Sequence, residues 1–226
     1  MIAIIAALPR EISGLVGGEA ADPLWRKRGV WLYRKGDAVI VAGGMGAERA
    51  TLAFEAAIGC GVIETVVSTG LAGACESSVE AGSVVEAGTV IDTRTGERYR
   101  TMAHNASALL ATTSGIAGVA EKQRLSASYA AAMVDMEAAT VARLAASRGV
   151  SFRAIKGISD PHDFEMASLS RFAGKHGTFR TGAFAAYTAM RPHTWGRAMR
   201  LGKYSSQSLA ALHRKLREEF QLDVRA

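Results

Sequence analysis

At 226 residues, with 49% hydrophobic side chains and a mean hydropathy of +0.10, the chain can bury one large core, which excludes a disordered polypeptide and makes a single domain the default. Its net charge of +6 is unevenly placed, because residues 191–226 hold eight Lys or Arg against three acids and so carry +5, leaving the rest almost neutral. No ladder of aromatics in basic strands and no helix-turn-helix pattern accompanies that charge, which argues against a nucleic-acid partner.

The opening run Ile2 to Leu8 is continuously apolar and ended by Pro9, the pattern of a strand buried on both faces. It is far shorter than the roughly 18 residues a spanning helix needs and has no basic segment before it, so a cytoplasmic, unprocessed protein is expected. Val30 to Arg34 and Ala38 to Ala42, separated by Lys35-Gly36-Asp37, read as a hairpin feeding the loop Gly43-Gly44-Met45-Gly46. Ala47 to Ile58 reads as a helix stopped by Gly59, and Thr65 to Thr69 as another buried strand. Cys60 and Cys75 beside it have neither the number nor the spacing of a disulfide framework or a metal site and are read as reduced thiols.

Ser83 to Asp92 is compatible with one or two strands, and Thr93 to Ser107 is polar enough to be loop. Met133-Val134 precede a helical pattern from Glu137 to Arg148 with Gly149 as its C-terminal cap, and Phe152 to Ile158 is strand-like, closed by Ser159-Asp160-Pro161. Thr178 to Met190 and about Thr194 to Phe220 read as helices, the second with Leu209, Leu212, Leu216 and Phe220 in one stripe. Strands alternating with helices predict an α/β fold.

In open α/β sheets ligands gather where strands end, so the polar residues just after the apolar runs are the candidates. These are Glu11, the loop Gly43 to Gly46, the turn Asp135 to Glu137, and Asp160. Each has a plain structural alternative: a carboxylate in a first helical turn is favoured by the helix dipole, and aspartate before proline is a turn former. Read as a dinucleotide fingerprint, Gly44-Met45-Gly46-Ala47-Glu48-Arg49 places Arg49 where glycine or alanine is needed, which speaks against NAD.

The combination goes further than its parts. Val134-Asp135-Met136-Glu137-Ala138-Ala139, followed about twenty residues on by Ile155-Lys156-Gly157-Ile158-Ser159-Asp160, resembles the paired signature of methylthioadenosine and S-adenosylhomocysteine nucleosidases. The opening Ile5 to Glu11, the glycine loop and Ser68-Thr69-Gly70-Leu71-Ala72-Gly73 fall in the same order and spacing as in that family, so the resemblance covers about residues 1 to 190.

What the resemblance implies is a three-layer α/β/α sandwich with a central mixed sheet over residues 1–190 and a homodimer, while residues 191–226 read from their charge and apolar stripe as a basic C-terminal helical extension of the same domain. It implies cleavage of the N-glycosidic bond of an adenosine-type nucleoside with a 5′ substituent, without metal or organic cofactor. By the same resemblance Asp160 protonates or hydrogen-bonds N7 of the purine, Glu137 accepts from the ribose hydroxyls, Met136 packs on the ribose, and Glu11 activates water. Ser159, Ser68, Gly70, Gly43, Gly44, Lys156 and Val119 complete the expected substrate contacts. The chemistry suits these types: an oxocarbenium-like sugar needs a neutralised leaving base, nearby negative charge and a delivered nucleophile.

Related phosphorylases hold phosphate with an arginine and a hydroxyl residue at the places taken here by Ser68 and Leu71, so water is expected as the nucleophile. Two departures stand out: Lys156 replaces an arginine beside the water, and no aromatic occurs near Gly118 and Val119 to stack on adenine. Arg191-Pro192 and the basic helix after it resemble a branch associated with hopanoid synthesis, which gives a rival reading with phosphate as co-substrate, a lipid-linked adenosyl substrate and contact with a membrane surface. A nucleoside-binding protein without catalysis is the third.

Overall fold

The computed structural model describes residues 1–103, 105–166, 172, 174, 177 and 195–222. β1 (Ile2–Ala6) pairs in parallel with β3 (Ala38–Ala42) on one side and β4 (Thr65–Ser68) on the other. This central position explains its unbroken apolar run: Ala3 and Ile5 pack with the first core cluster, whereas Ile4 and Ala6 pack with the second, on the opposite face. β2 (Trp31–Lys35) joins β3 antiparallel through the two-residue turn Gly36-Asp37, as the alternating hairpin pattern predicts.

Beyond β4 the sheet continues through β11 (Ser151–Asp160), β5 (Leu71–Ala74), β10 (Met133–Asp135), β9 (Leu109–Thr112), β7 (Thr89–Asp92) and β8 (Arg98–Arg100), with β6 (Val84–Ala87) paired antiparallel to β11. Parallel and antiparallel pairs are mixed, and helices cover both faces. α3 (Ala47–Ile58) and α5 (Ala138–Ala146) close the first cluster, in which Phe54, Val141 and Ala145 are fully buried. α1 (Ser13–Val16) and the long α6 (Trp195–Glu219) close the second, while α4 (Val119–Tyr129) covers Ile91, Ala111 and Val134 through Leu125. The short α2 (Pro23–Lys27) is capped by Asp22, whose side chain accepts from Leu24 N and Trp25 N. The expected three-layer sandwich around a mixed sheet is the observed fold.

α6 packs along β11 because both elements are small where they touch: a Cβ on Gly157 would lie 3.1 Å from Ser208 Cβ. Its predicted stripe faces the core, with Leu212 and Leu216 fully buried and Leu209 and Phe220 half-buried. Among the described residues no helix is long and apolar enough to cross a membrane.

One expectation changes. The stretch read as loop from Thr93 to Ser107 contains β8, an edge strand of three residues whose antiparallel pairing with β7 is a backbone matter that side-chain patterning does not announce. β9 and α4 had no sequence reading: β9 is a run of only four residues, and one of the two buried positions of α4 is a lysine. The segment Thr178 to Met190 and the pair Arg191-Pro192 lie outside the described residues.

Candidate active site

The ends of β1, β10 and β11, the start of β5 and one side of α6 enclose a cavity of about 500 Å³. Four carboxylates line it: Glu11 beyond β1, Asp135 at the end of β10, Glu137 just after it and Asp160 at the last position of β11. Each sits where an apolar strand runs out, so the strands carry the chemistry to one place.

Glu11 ends a single 3-10 turn, Pro9–Glu11, and is buried. Its Oε2 accepts from Ala7 N (3.1 Å) and Leu8 N (2.9 Å), and its Oε1 from Leu71 N (3.3 Å). Gly70 makes that seat possible: its φ is +105°, and a Cβ there would stand 2.7 Å from Glu11 Oε2.

Asp160 is also buried. Its Oδ2 accepts from Lys122 Nζ at very short range, and its Oδ1 lies within reach of the Ser159 hydroxyl. Burial pushes the Asp160 carboxyl above the usual carboxylate range, partly offset by the Lys122 cation and by the two hydrogen bonds. Gly73 clears the space, since a Cβ there would meet Asp160 Oδ2 at 3.0 Å and Lys122 Cε at 3.1 Å. Three residues apart, Gly70 and Gly73 thus each make room for one carboxylate of the cavity.

Glu137 is the N-cap of α5, and its Oε1 accepts from Gly46 N at 2.8 Å. Burial first, and the Asp135 charge second, push its carboxyl up to about 8, against the pull of Lys156 and the Gly46 N–H. Asp135 is fully occupied in the wall: Oδ1 accepts from Thr112 Oγ1 (2.7 Å), and Oδ2 accepts from Ala138 N (3.0 Å) and pairs with Lys156 Nζ (2.9 Å). The rest of the lining is mostly apolar, with Met45, Met136 and Met166, the aliphatic pair Ile116 and Ala117, and small α6 residues including Ala198, Gly202 and Ser205. Such a chamber holds a flat apolar ring and a polyhydroxylated ring, and sets negative charge against any cation that develops between them. Among the described residues no group of His, Cys, Asp and Glu could hold a metal ion.

The family model of the phosphorylase superfamily matches residues 1–108 and 103–179. The chain belongs to the phosphorylase superfamily. No curated protein sequence is significantly similar to it. Among solved structures, this member of the superfamily shares its fold with 5′-methylthioadenosine nucleosidase from Arabidopsis thaliana (TM-score 0.72, 15% identity, covering 100% of this chain and 96% of that one). It is similar also to two Helicobacter pylori proteins, each covering 97% of both chains. They are futalosine hydrolase (TM-score 0.70, 16% identity) and 5′-methylthioadenosine/S-adenosylhomocysteine nucleosidase bound to butyl-thio-DADMe-Immucillin-A (TM-score 0.69, 15% identity).

Of the residues the sequence nominated in this superfamily member, the structure brings Glu11, Asp135, Met136, Glu137, Ser159 and Asp160 together on the cavity. The others stand behind its wall. Gly43 N and Gly44 N donate to Ala6 O (3.2 Å) and Ala7 O (2.8 Å), and Gly43 lies so close to α3 that a Cβ would be 2.6 Å from Ala53 Cβ. The glycine loop therefore packs α3 on β1 and reaches the site through Met45, which lines the cavity, and through Gly46, which holds Glu137. Lys156, expected beside a water, is buried with Asp135, Ser68 Oγ (3.1 Å) and Thr69 O (2.9 Å) around its Nζ. That network also occupies Ser68. Val119 opens α4, its N–H donating to Glu165 Oε2 at 3.3 Å, and the cavity is lined one turn earlier, at Ile116 and Ala117.

Sequence reasoning missed Lys122 altogether. Its one signal is weak: Lys122 shares a face of α4 with Leu125, where a second apolar residue would be expected. It also treated α6 as an appendage, whereas α6 supplies a wall of the cavity.

Proposed function

We propose that the protein hydrolyses the N-glycosidic bond of an adenosine-type nucleoside carrying a 5′ substituent, releasing adenine. The observation that carries this reading is the convergence of Glu11, Glu137 and Asp160 on one cavity, each held by donors that fix its direction. Asp160 faces the purine and puts a proton on N7, so that the base leaves neutral. Glu137 accepts from the ribose hydroxyls while Met136 packs on the sugar. Glu11, with Oε1 and Oε2 anchored by three backbone N–H groups, takes a proton from water as the water attacks C1′. The nucleosidases and the futalosine hydrolase of similar fold support the reaction class.

Water is favoured over phosphate on electrostatic grounds. A phosphate dianion next to Glu11 would meet like charge at short range, and the buried lysines already have carboxylate partners. No cofactor enters the steps above. A homodimer in the cytoplasm is part of the same reading, resting on the resemblance to the nucleosidases, and sedimentation of the purified protein tests the dimer.

One observation favours a second reading, phosphorolysis of a lipid-linked adenosyl compound at a membrane surface. The helix that walls the cavity exposes Trp195 (49%) and Met199 (68%) near Arg197, Arg200 and Lys203. The experiment that separates the two is adenine release from 5′-methylthioadenosine, S-adenosylhomocysteine and adenosine, each with and without phosphate. Free sugar without phosphate is the expected result. A sugar phosphate formed only when phosphate is present would overturn hydrolysis, and no release from any of the three would transfer the assignment to the lipid-linked substrate or to a nucleoside-binding protein.

A further inference from the structure

Lys122 is buried to 1% exposure among oxygen acceptors. Its Nζ donates to Asp160 Oδ2, to Pro161 O (2.9 Å) and to Phe164 O (3.2 Å). An ammonium has three protons, so all are committed, and none is left for a ligand in the cavity unless a bond is given up. The two carbonyls belong to the chain just after β11, and proline at 161 gives that turn a carbonyl without an N–H to compete for Asp160. The side chain crosses from α4 to the end of β11 through the gap that Gly73 leaves, which is a costly arrangement to build for a group that only fills space.

While Lys122 donates to Oδ2 and Ser159 to Oδ1, both oxygens of Asp160 are acceptors, and N7 of a purine is an acceptor too. Asp160 can therefore protonate a leaving base only if it receives a proton, and Lys122 is the cation in contact with it. Resting on the N-glycosidic reading above, we propose that Lys122 and Asp160 form one proton-holding unit, in which Lys122 positions Asp160 and supplies the proton that Asp160 passes to the departing base.

The step balances. As the C1′–N9 bond breaks and its electron pair goes to the base, the Nζ–H bond of Lys122 breaks and an O–H bond forms on Asp160, whose proton forms the N7–H bond. Lys122 ends as a neutral amine still held by two carbonyls. Glu11 ends protonated by the attacking water, and solvent returns one proton and removes the other when the products leave.

The test compares wild type, Lys122→Gln, Asp160→Asn and the double variant on 5′-methylthioadenosine and on p-nitrophenyl β-D-ribofuranoside, whose phenolate leaves without a proton. Glutamine keeps a donor for Asp160 and for one carbonyl but stores no proton. Expected is a kcat about 100- to 10,000-fold lower on the nucleoside for Lys122→Gln, with KM little changed, and no further loss in the double variant beyond that of Asp160→Asn. On the phenyl riboside any activity of wild type should survive the substitution. Near-wild-type kcat in Lys122→Gln, losses that multiply in the double variant, or an equal loss on both substrates would each overturn the proposal, the last marking a merely structural lysine. If wild type releases no base, the functional reading falls together with it; if wild type is active and Lys122→Gln is too, only the proton store falls.

Discussion

Gly70 and Glu11 fit like a seat and its occupant: the glycine adopts φ +105°, and the space a Cβ would need is the space of the Glu11 carboxylate, 2.7 Å away. Gly70→Ala must therefore both strain the backbone and push Glu11 off Ala7 N, Leu8 N and Leu71 N. A stability loss of about 1–3 kcal/mol is expected, with a kcat loss well beyond what that loss of folded protein explains. Thermal unfolding and single-turnover cleavage of 5′-methylthioadenosine check it; unchanged kcat would show that Glu11 is not held by this contact.

Glu11→Gln keeps the shape and removes the proton acceptor. We expect kcat to drop about 100- to 10,000-fold while a nucleoside still binds with nearly the wild-type dissociation constant. Calorimetric titration beside the kinetics tells the two apart, and equal weakening of binding and rate would assign Glu11 to substrate holding instead.

Glu137 makes stability depend on pH in a defined direction. Its carboxyl, ordinarily at 4.5, stands at about 8 in the folded chain, so between these values the folded form keeps a proton that the unfolded chain has released. That stability is present in full below about 4.5 and is lost as pH rises through 8. Glu137→Gln carries the neutral form at every pH and keeps an oxygen for Gly46 N. Its Tm should match wild type near pH 4.5 and exceed it increasingly toward pH 9; parallel curves would refute the elevated value.

Lys156 and Asp135 form a buried pair tied to Thr112, Ala138, Ser68 and Thr69, in which Asp135 borders the chamber and Lys156 stands behind its wall. Removing one partner strands the other, so Lys156→Met should cost about 3–5 kcal/mol. KM of the folded fraction should move little, and a KM rise without destabilisation would return Lys156 to the substrate.

Helix α6 is both core and cavity wall. Leu212→Ala is expected to cost about 2–5 kcal/mol, as for any fully buried leucine, and deleting residues 195–222 should leave no soluble enzyme with turnover. Chemical denaturation of the variant and recovery of the truncated protein measure this. Full activity after truncation would make the helix dispensable.

The strands and helices with strong periodicity were legible in advance. β1, the β2–β3 hairpin, α3 and α6 stand where apolar spacing and glycine stops put them, because the burial that stabilises them is written in local order. Glu11, Glu137 and Asp160 could be nominated from their places one to three residues past apolar runs. What the sequence could not contain was distance across the fold. β8 exists through pairing with β7, Lys122 meets Asp160 from 38 residues away, and Lys156, Gly43 and Gly44 are turned from the cavity by contacts with other elements. Local pattern determines which residues are buried and in what element, since that is a property of neighbours in sequence. Which carboxylate is paired, which is left to face the cavity, and which helix closes it are decided by side chains far apart in the chain, and only the tertiary structure brings those together.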